Sequence, residues 1–323
     1  MNTKLTRRTA LFASAVTPFA AAGLVGAGAA VAQQTQNAPQ TGDGPQTPPP
    51  AVAPYRRYAI GEMTVTTLLA GTKALPEPHG TFGLNASDGE FTALSEENFL
   101  PSDVALNGFT PVMVETDDAV VLFDTGLDAA GITAALEAAG KSPDDITHVV
   151  ITHMHGDHIG GLMADGTPTF SNAAYFTGRV EWDHWSSAGN EGFDTKVRPL
   201  EQKFTFLKGD DEVLPGIRAV EAFGHTPGML AFWLSSGDAQ LALTADTANH
   251  YVWSLQRPEW EVRFDMDKQA AIETRKKILK QIAQAKIPFI GYHMPFPGIG
   301  FLQTKDEGYR FVPASYQFDL KDA

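Results

Sequence analysis

Between residues 151 and 161 the chain reads ITHMHGDHIGG, which sets His153, His155, Asp157 and His158 within six positions. The whole chain has nine histidines in 323 residues. Three at these offsets arise by chance on the order of once per hundred chains, so a metal-binding role outweighs a merely hydrogen-bonded polar turn. His153 and His155 alternate at the end of the apolar run ITHVVITH (146–153), and Gly156 permits a sharp turn before Asp157 and His158. Imidazole nitrogen suits Zn²⁺ and its neighbours, and carboxylate oxygen is a hard co-ligand. Four ligand types in six positions crowd a single tetrahedral ion. The spacing therefore points to two ions, His153 and His155 on one, Asp157 and His158 on the other. The chain has no cysteine, so thiolate ligands and disulfides are excluded.

Two ions need further ligands, and downstream strand ends offer them. His225 stands in GHTPG after IRAVEAF, Asp246 in LTADT after AQLALTA, and His293 in GYHMPFPG after IPFI. A lone histidine at a strand end is ordinarily a satisfied polar residue, but three such residues behind a dense His/Asp motif reinforce one another. His250, four residues after Asp246, is a candidate to support the ligands from behind. His79, His148 and His184 read as surface or packing residues. Trp182, Trp185 and Phe193, in the segment after the motif, are candidates for a substrate wall, or equally for aromatics at the edge of the core.

The elements that must hold these residues alternate. EMTVTTLLAG (62–71) and TPVMVETDDAVVLFDTG (110–126) read as strands, the second as a hairpin turning at Asp117–Asp118. AAGITAALEAAG (129–140) is a helix ended by Gly140. AAYFTG is a short strand and RVEWDHWSS a short helix. LAFWLSSG and AQLALTAD flank a Ser-Gly-Asp turn, DKQAAIETRKKILKQIAQA (267–285) is an amphipathic helix, and IPFIGYH is a last strand. Strand pairs mixed with single helices predict an α/β (α+β) fold in which two sheets carry helices outside, an αββα sandwich. No composition break interrupts residues 55–323, which predicts one catalytic domain.

Ahead of that domain, residues 1–32 begin basic, continue Ala/Gly/Val/Leu-rich and end at Ala30-Val31-Ala32, a small-residue cleavage pattern. Arg7-Arg8 in TRRTALF resembles a twin-arginine signal. A cleaved export signal and a periplasmic or secreted protein are expected, with no stable membrane anchor. Residues 33–54, rich in Gln, Pro, Gly and Thr, read as a flexible linker. The signal carries Lys4, Arg7 and Arg8 and no acid, so its removal takes 24 basic and 38 acidic residues to 21 and 38, or −17. Such a surface repels polyanions and argues against nucleic acid as partner. A small-molecule substrate is expected, with a homodimer as the candidate assembly.

The order His-x-His-x-Asp-His, then His, Asp and His resembles the metallo-β-lactamase-fold hydrolases. Within them, ITHMHGDHIGGLM, GHTPG and HMPFPGIGFLQTKDEGYRFVPASY are similar to the exported methyl parathion hydrolase-like group, related to the N-acyl-homoserine lactonases. The resemblance covers roughly residues 55–323. Met229 departs from it where such proteins often have a second histidine, and residues 249–265 match no organophosphate pocket.

The resemblance implies that His153, His155 and His225 bind one metal and that Asp157, His158 and His293 bind the other. It implies that Asp246 bridges them, with Asp157 and Asp246 the catalytic carboxylates and Asp124, in LFDTG, bonded to a ligand histidine. The cofactor implied is two divalent ions, by default Zn²⁺, with Mn²⁺, Co²⁺ or Fe²⁺ also accepted by such ligands. The activity implied is hydrolysis of lactones or carboxylic esters, with phosphotriesters as a further class. Among other members of the fold, a cysteine-ligated β-lactamase is excluded, and Asp246 argues against an all-His/Asp one. Nucleases conflict with the charge, glyoxalase II-like thioesterases with export, and flavodiiron proteins with His155. A mononuclear-iron dioxygenase stays an alternative that metal analysis separates.

Overall fold

The computed structural model describes residues 53–316 and 318. The expected export signal, and all of the linker but its last two residues, lie outside the described residues.

Two seven-stranded sheets face one another among the described residues. In the first, Tyr55–Ile60, Met63–Leu68, Val112–Glu115 and Val120–Phe123 run antiparallel in sequence order; His148–Ile151, Ala174–Gly178 and Phe204–Leu207 then add in parallel. In the second, Glu212–Leu214, Ile217–Glu221, Leu230–Ser236 and Ala239–Leu243 are antiparallel. Phe289–Ile290 joins in parallel, and Ile299–Lys305 and Gly308–Pro313 close the sheet antiparallel. IPFIGYH is therefore not the last strand, because two more follow it.

The strands are apolar on both faces because both faces are covered. Val121, Phe123 and Val150 point between the sheets, where they meet Phe232, Leu234, Leu241 and Leu243; the Phe123 and Phe232 rings are 5.0 Å apart. Leu122, Val149 and Ile151, one residue out of phase, face the opposite layer with Ile132, Ala135 and Leu136 of the helix Ala129–Ala138. Ala231, Ala242 and Phe289 meet Ile278, Leu279 and Ile282 of the helix Lys268–Ala285. Period-2 strands and period-3.6 helices thus select the αββα layering.

One region escaped the sequence reading. Gly71–Pro76 pairs antiparallel with Val104–Phe109 as a separate two-stranded ribbon, with the helix Asp88–Glu97 between them. That helix opens with a capping box: the Ser87 hydroxyl accepts from the Glu90 amide while the Ser87 amide donates to Glu90 at 2.9 Å. The S-x-x-E signature was available in the sequence. Phe82, Phe91, Trp253, Trp260 and Val262 form a small cluster of their own on this side. No helix among the described residues is long and apolar enough to cross a membrane.

Candidate metal centre

The chemistry-bearing side chains leave the carboxyl ends of strands from both sheets. Asp124 follows Val120–Phe123, His153 follows His148–Ile151, His225 follows Ile217–Glu221, Asp246 follows Ala239–Leu243, and His293 follows Phe289–Ile290. Parallel neighbours end at one level, so the sheets deliver these side chains to one place.

His153, His155 and His225 offer ligand atoms to a common point, as do Asp157, His158 and His293; a third group, His153, His158 and Asp246, joins the two. Asp246 Oδ2 lies 3.3 Å from His225 Nε2 and 3.2 Å from His293 Nε2, one from each triad, and Asp246 Oδ1 lies 3.4 Å from His158 Nε2. His155 turns Nδ1 inward, 2.9 Å from His225 Nε2. Two cations fit this donor set. His153 Nε2, His158 Nε2 and Asp246 Oδ1 are buried polar atoms with no hydrogen-bond partner, all aimed into the cluster, and buried groups without partners are costly unless something else satisfies them.

The electrostatics favour positive charge there. Burial opposes protonation of His225, but Asp246 and Asp265 outweigh it and hold its imidazole up to about 9. Burial likewise opposes charge on His158, yet Asp124, Asp246 and Asp157 raise it well above its ordinary value. His155, desolvated and beside His225, is held down to about 3. The carboxylates thus attract cations, and a neutral imidazole is the form that binds a metal.

Three of the ligand histidines, His158, His225 and His293, are steered from behind. Asp124 Oδ2 accepts from His158 Nδ1 at 2.8 Å, and its carboxylate also takes the Thr152 amide and hydroxyl. Asp265 Oδ1 accepts from His225 Nδ1 at 2.8 Å, and its Oδ2 accepts from Arg275 at 2.7 Å. Arg275 is wholly buried and donates also to the carbonyls of Thr247, Pro258 and Trp260. His293 Nδ1 donates to the Gly108 carbonyl at 3.0 Å. Each contact selects the tautomer that leaves the other nitrogen free for a metal. The Tyr292 ring lies 3.9 Å from that of His158, and its hydroxyl donates to the Asp157 carbonyl. Glu181 collects four donors: Met154 N, Trp185 Nε1, Thr226 Oγ1 and Gly228 N. Burial pushes its carboxyl up, against those four donors.

Glu181, Asp265, Arg275 and Tyr292 carried no signal in the sequence beyond, for Tyr292, its place next to His293. The glycine reading also changes. An added Cβ at Gly156 would meet nothing within 4 Å, whereas at Gly160 it would fall 2.0 Å from the Leu127 carbonyl oxygen. Close approach at Gly160, not a turn at Gly156, is what the motif needs glycine for.

A cavity of about 480 Å³ opens over the cluster. His155, Asp157, Asp246 and His293 form its floor, and Leu75, Phe82, Phe109, Leu127 and Phe264 its apolar walls. Trp182, Trp185 and Phe193 do not line this cavity, and of their two readings the structure places them in the core. All three are buried in the core outside the first sheet, where Trp182 packs on Phe193 at 5.1 Å and Trp185 reaches the edge of His155 at 6.0 Å. The helix Arg179–Ser187 turns its aromatic face inward, as its amphipathic pattern requires. His250 spends Nδ1 on the Val252 and Trp253 amides and stacks on Trp253 at 3.9 Å, so it fixes its own turn.

Residues 110–282 match the family model of the Metallo-beta-lactamase superfamily. The chain belongs to that superfamily. This superfamily member is 25% identical over 249 residues to an N-acyl homoserine lactonase of Bacillus cereus, covering 74% of this chain and 90% of the relative. It resembles the structure of AidC, a dizinc quorum-quenching lactonase, with 27% identity and a TM-score of 0.75 over 81% of this chain and 97% of AidC. AbOPH, a hydrolase in the beta lactamase superfamily, shares the fold with a TM-score of 0.76 at 23% identity, over 82% of this chain and 98% of its own. With its binuclear ligand cluster, the chain is a metal-dependent hydrolase.

Proposed function

We propose that this hydrolase opens lactones or cleaves carboxylic esters, with phosphotriesters as a secondary class, using two zinc ions. The carrying observation is the pair of ligand triads, with Asp246 within reach of both, on the floor of a cavity whose walls are largely apolar. The named activities of the relatives support the same substrate class. Two divalent ions held there supply Lewis acidity and bring the pKa of water toward neutrality. The chain's own residues do the rest. Phe82, Phe109, Leu127 and Phe264 take up the apolar part of the substrate and exclude water around the scissile bond. Asp124 and Asp265 hold the ligand rings in one tautomer. Asp246 bridges the triads. Asp157 turns Oδ2 toward His158 and His293, which leaves Oδ1 to take the proton that the attacking water gives up and pass it to the departing alkoxide.

The test is a panel of uncharged acyl-homoserine lactones, aryl esters, a β-lactam, a thioester and methyl parathion, compared by kcat/KM on the zinc-replete enzyme. Lactones or esters should lead by at least tenfold. A leading β-lactam or thioester sinks the assignment, and one iron per chain with oxygen consumption replaces it with a dioxygenase. We further infer, from residues 1–32 alone, that the protein is exported through the twin-arginine route. Replacing Arg7 and Arg8 by Lys should keep it in the cytoplasm, and normal periplasmic yield of that variant refutes the route.

A further inference from the structure

Away from the ligand cluster, every charged side chain that lines the cavity is cationic. They are Lys73 and Arg263, in a chain with 38 acidic and 24 basic residues. Lys73 lies on the ribbon strand Gly71–Pro76, directly opposite Asn107 on Val104–Phe109, and Asn107 lines the cavity too. Arg263 follows Val262, which bridges to Phe82, and its amide donates to the Thr81 carbonyl at 2.8 Å. Its guanidinium rests 5.1 Å from the Phe264 ring. Both cations are exposed, and neither forms an ion pair with a described residue. The two thus converge on one cavity from two separate segments, one of them beside an amide donor.

We propose that this rim is a carboxylate subsite, so that the enzyme takes esters or lactones carrying a carboxylate remote from the scissile bond. This rests on the hydrolase reading and narrows its substrate class. An acidic surface repels an anionic substrate, whereas two unneutralised cations at a low-dielectric mouth attract one. The planar guanidinium matches a carboxylate bidentately, and the Lys73 ammonium adds a second charge-assisted donor. A cavity of about 480 Å³ falls within the usual range for a small molecule. Its apolar walls suit the linker between the carboxylate and the reacting bond.

The test compares 4-acetoxybenzoate with its uncharged methyl ester on the zinc-replete wild type and on Lys73→Gln, Arg263→Gln and Arg263→Lys. The ratio of kcat/KM between the two esters is the readout, because the difference in leaving group cancels between proteins. The ratio should fall about tenfold in each Gln variant, the equivalent of one charge-assisted contact. It should recover only in part in Arg263→Lys, which keeps the charge and loses the bidentate fork, and shrink in the wild type as salt rises. An equal ratio in all four proteins overturns the subsite. Calorimetric titration with 4-acetamidobenzoate and its methyl ester reads the subsite independently of turnover. Tighter binding of the charged amide that is lost in Arg263→Gln supports it, and equal binding overturns it. If the wild type hydrolyses neither ester nor an uncharged lactone, the lactone and ester reading fails while the calorimetry still decides the subsite.

Discussion

Glu181 Oε1 lies 2.9 Å from the backbone amide of Met154, the residue between His153 and His155. Its other oxygen takes the Thr226 hydroxyl and the Gly228 amide, in the turn that carries His225. One buried carboxylate therefore clamps both ligand-bearing turns of the first triad. Glutamine has the same shape but offers one acceptor and two donors, so it would face some of these groups donor to donor. Glu181→Gln should lose roughly 1–3 kcal/mol of stability for each donor left unpaired. It should also bind zinc more weakly in competition with a chelator, and wild-type values for both would dismiss the clamp.

The motif's glycines should separate cleanly. Gly156→Ala adds a methyl group with nothing within 4 Å and should stay within about 1 kcal/mol of wild type. Gly160→Ala places a Cβ 2.0 Å from the Leu127 carbonyl oxygen and 2.3 Å from its carbon, both backbone atoms that cannot step aside. It should lower Tm sharply or abolish soluble expression. Equal melting temperatures would contradict this packing.

Asp265 and Arg275 form a fully buried ion pair behind His225. Removing one partner strands the other, so Asp265→Asn and Arg275→Met should each cost on the order of 3–5 kcal/mol. The double variant should lose less than the sum, since neither charge is then left alone. Chemical denaturation of the four proteins measures the coupling, and strict additivity rules it out.

Chelation should destabilise the protein as well as inactivate it. His153 Nε2, His158 Nε2 and Asp246 Oδ1 have no hydrogen-bond partner in the protein, and a cation would satisfy all three. A metal at a hundred times its Kd adds about 2.7 kcal/mol to the native state. Tm should drop on treatment with a chelator and return with zinc. Asp246→Ala should abolish both the return and the activity. A chelated wild type that melts unchanged speaks against the centre.

Substrate length should be sensed at Phe264 and not at Phe193. Phe264 lines the cavity, whereas Phe193 is buried behind the first sheet. Phe264→Ala should raise KM for long acyl chains more than for short ones with little change in kcat, the mark of lost uniform binding. Phe193→Leu should lower Tm and leave the chain-length profile as it was. The reverse pattern would favour the substrate-wall reading of the aromatics after the motif.

The layers of the fold were legible because burial imposes a period on each element. Val149 and Val150 fall on opposite faces of one strand, and Ile132, Ala135 and Leu136 on one face of a helix. The residues that the structure gathers in the cluster were legible for a different reason: a metal accepts few side-chain types, and His153 to His158 stand together in the chain. Glu181, Asp265 and Arg275 were not legible. A glutamate on an amphipathic helix looks solvated until Met154, 27 residues away, and Gly228, 47 residues away, are brought against it. The cavity was hidden likewise, because Phe82, Phe109 and Phe264 come from distant segments and a phenylalanine bears no local mark of whether it faces a core or a ligand. Residue chemistry and periodicity are written along the chain; partnership between distant groups exists only once the chain has folded.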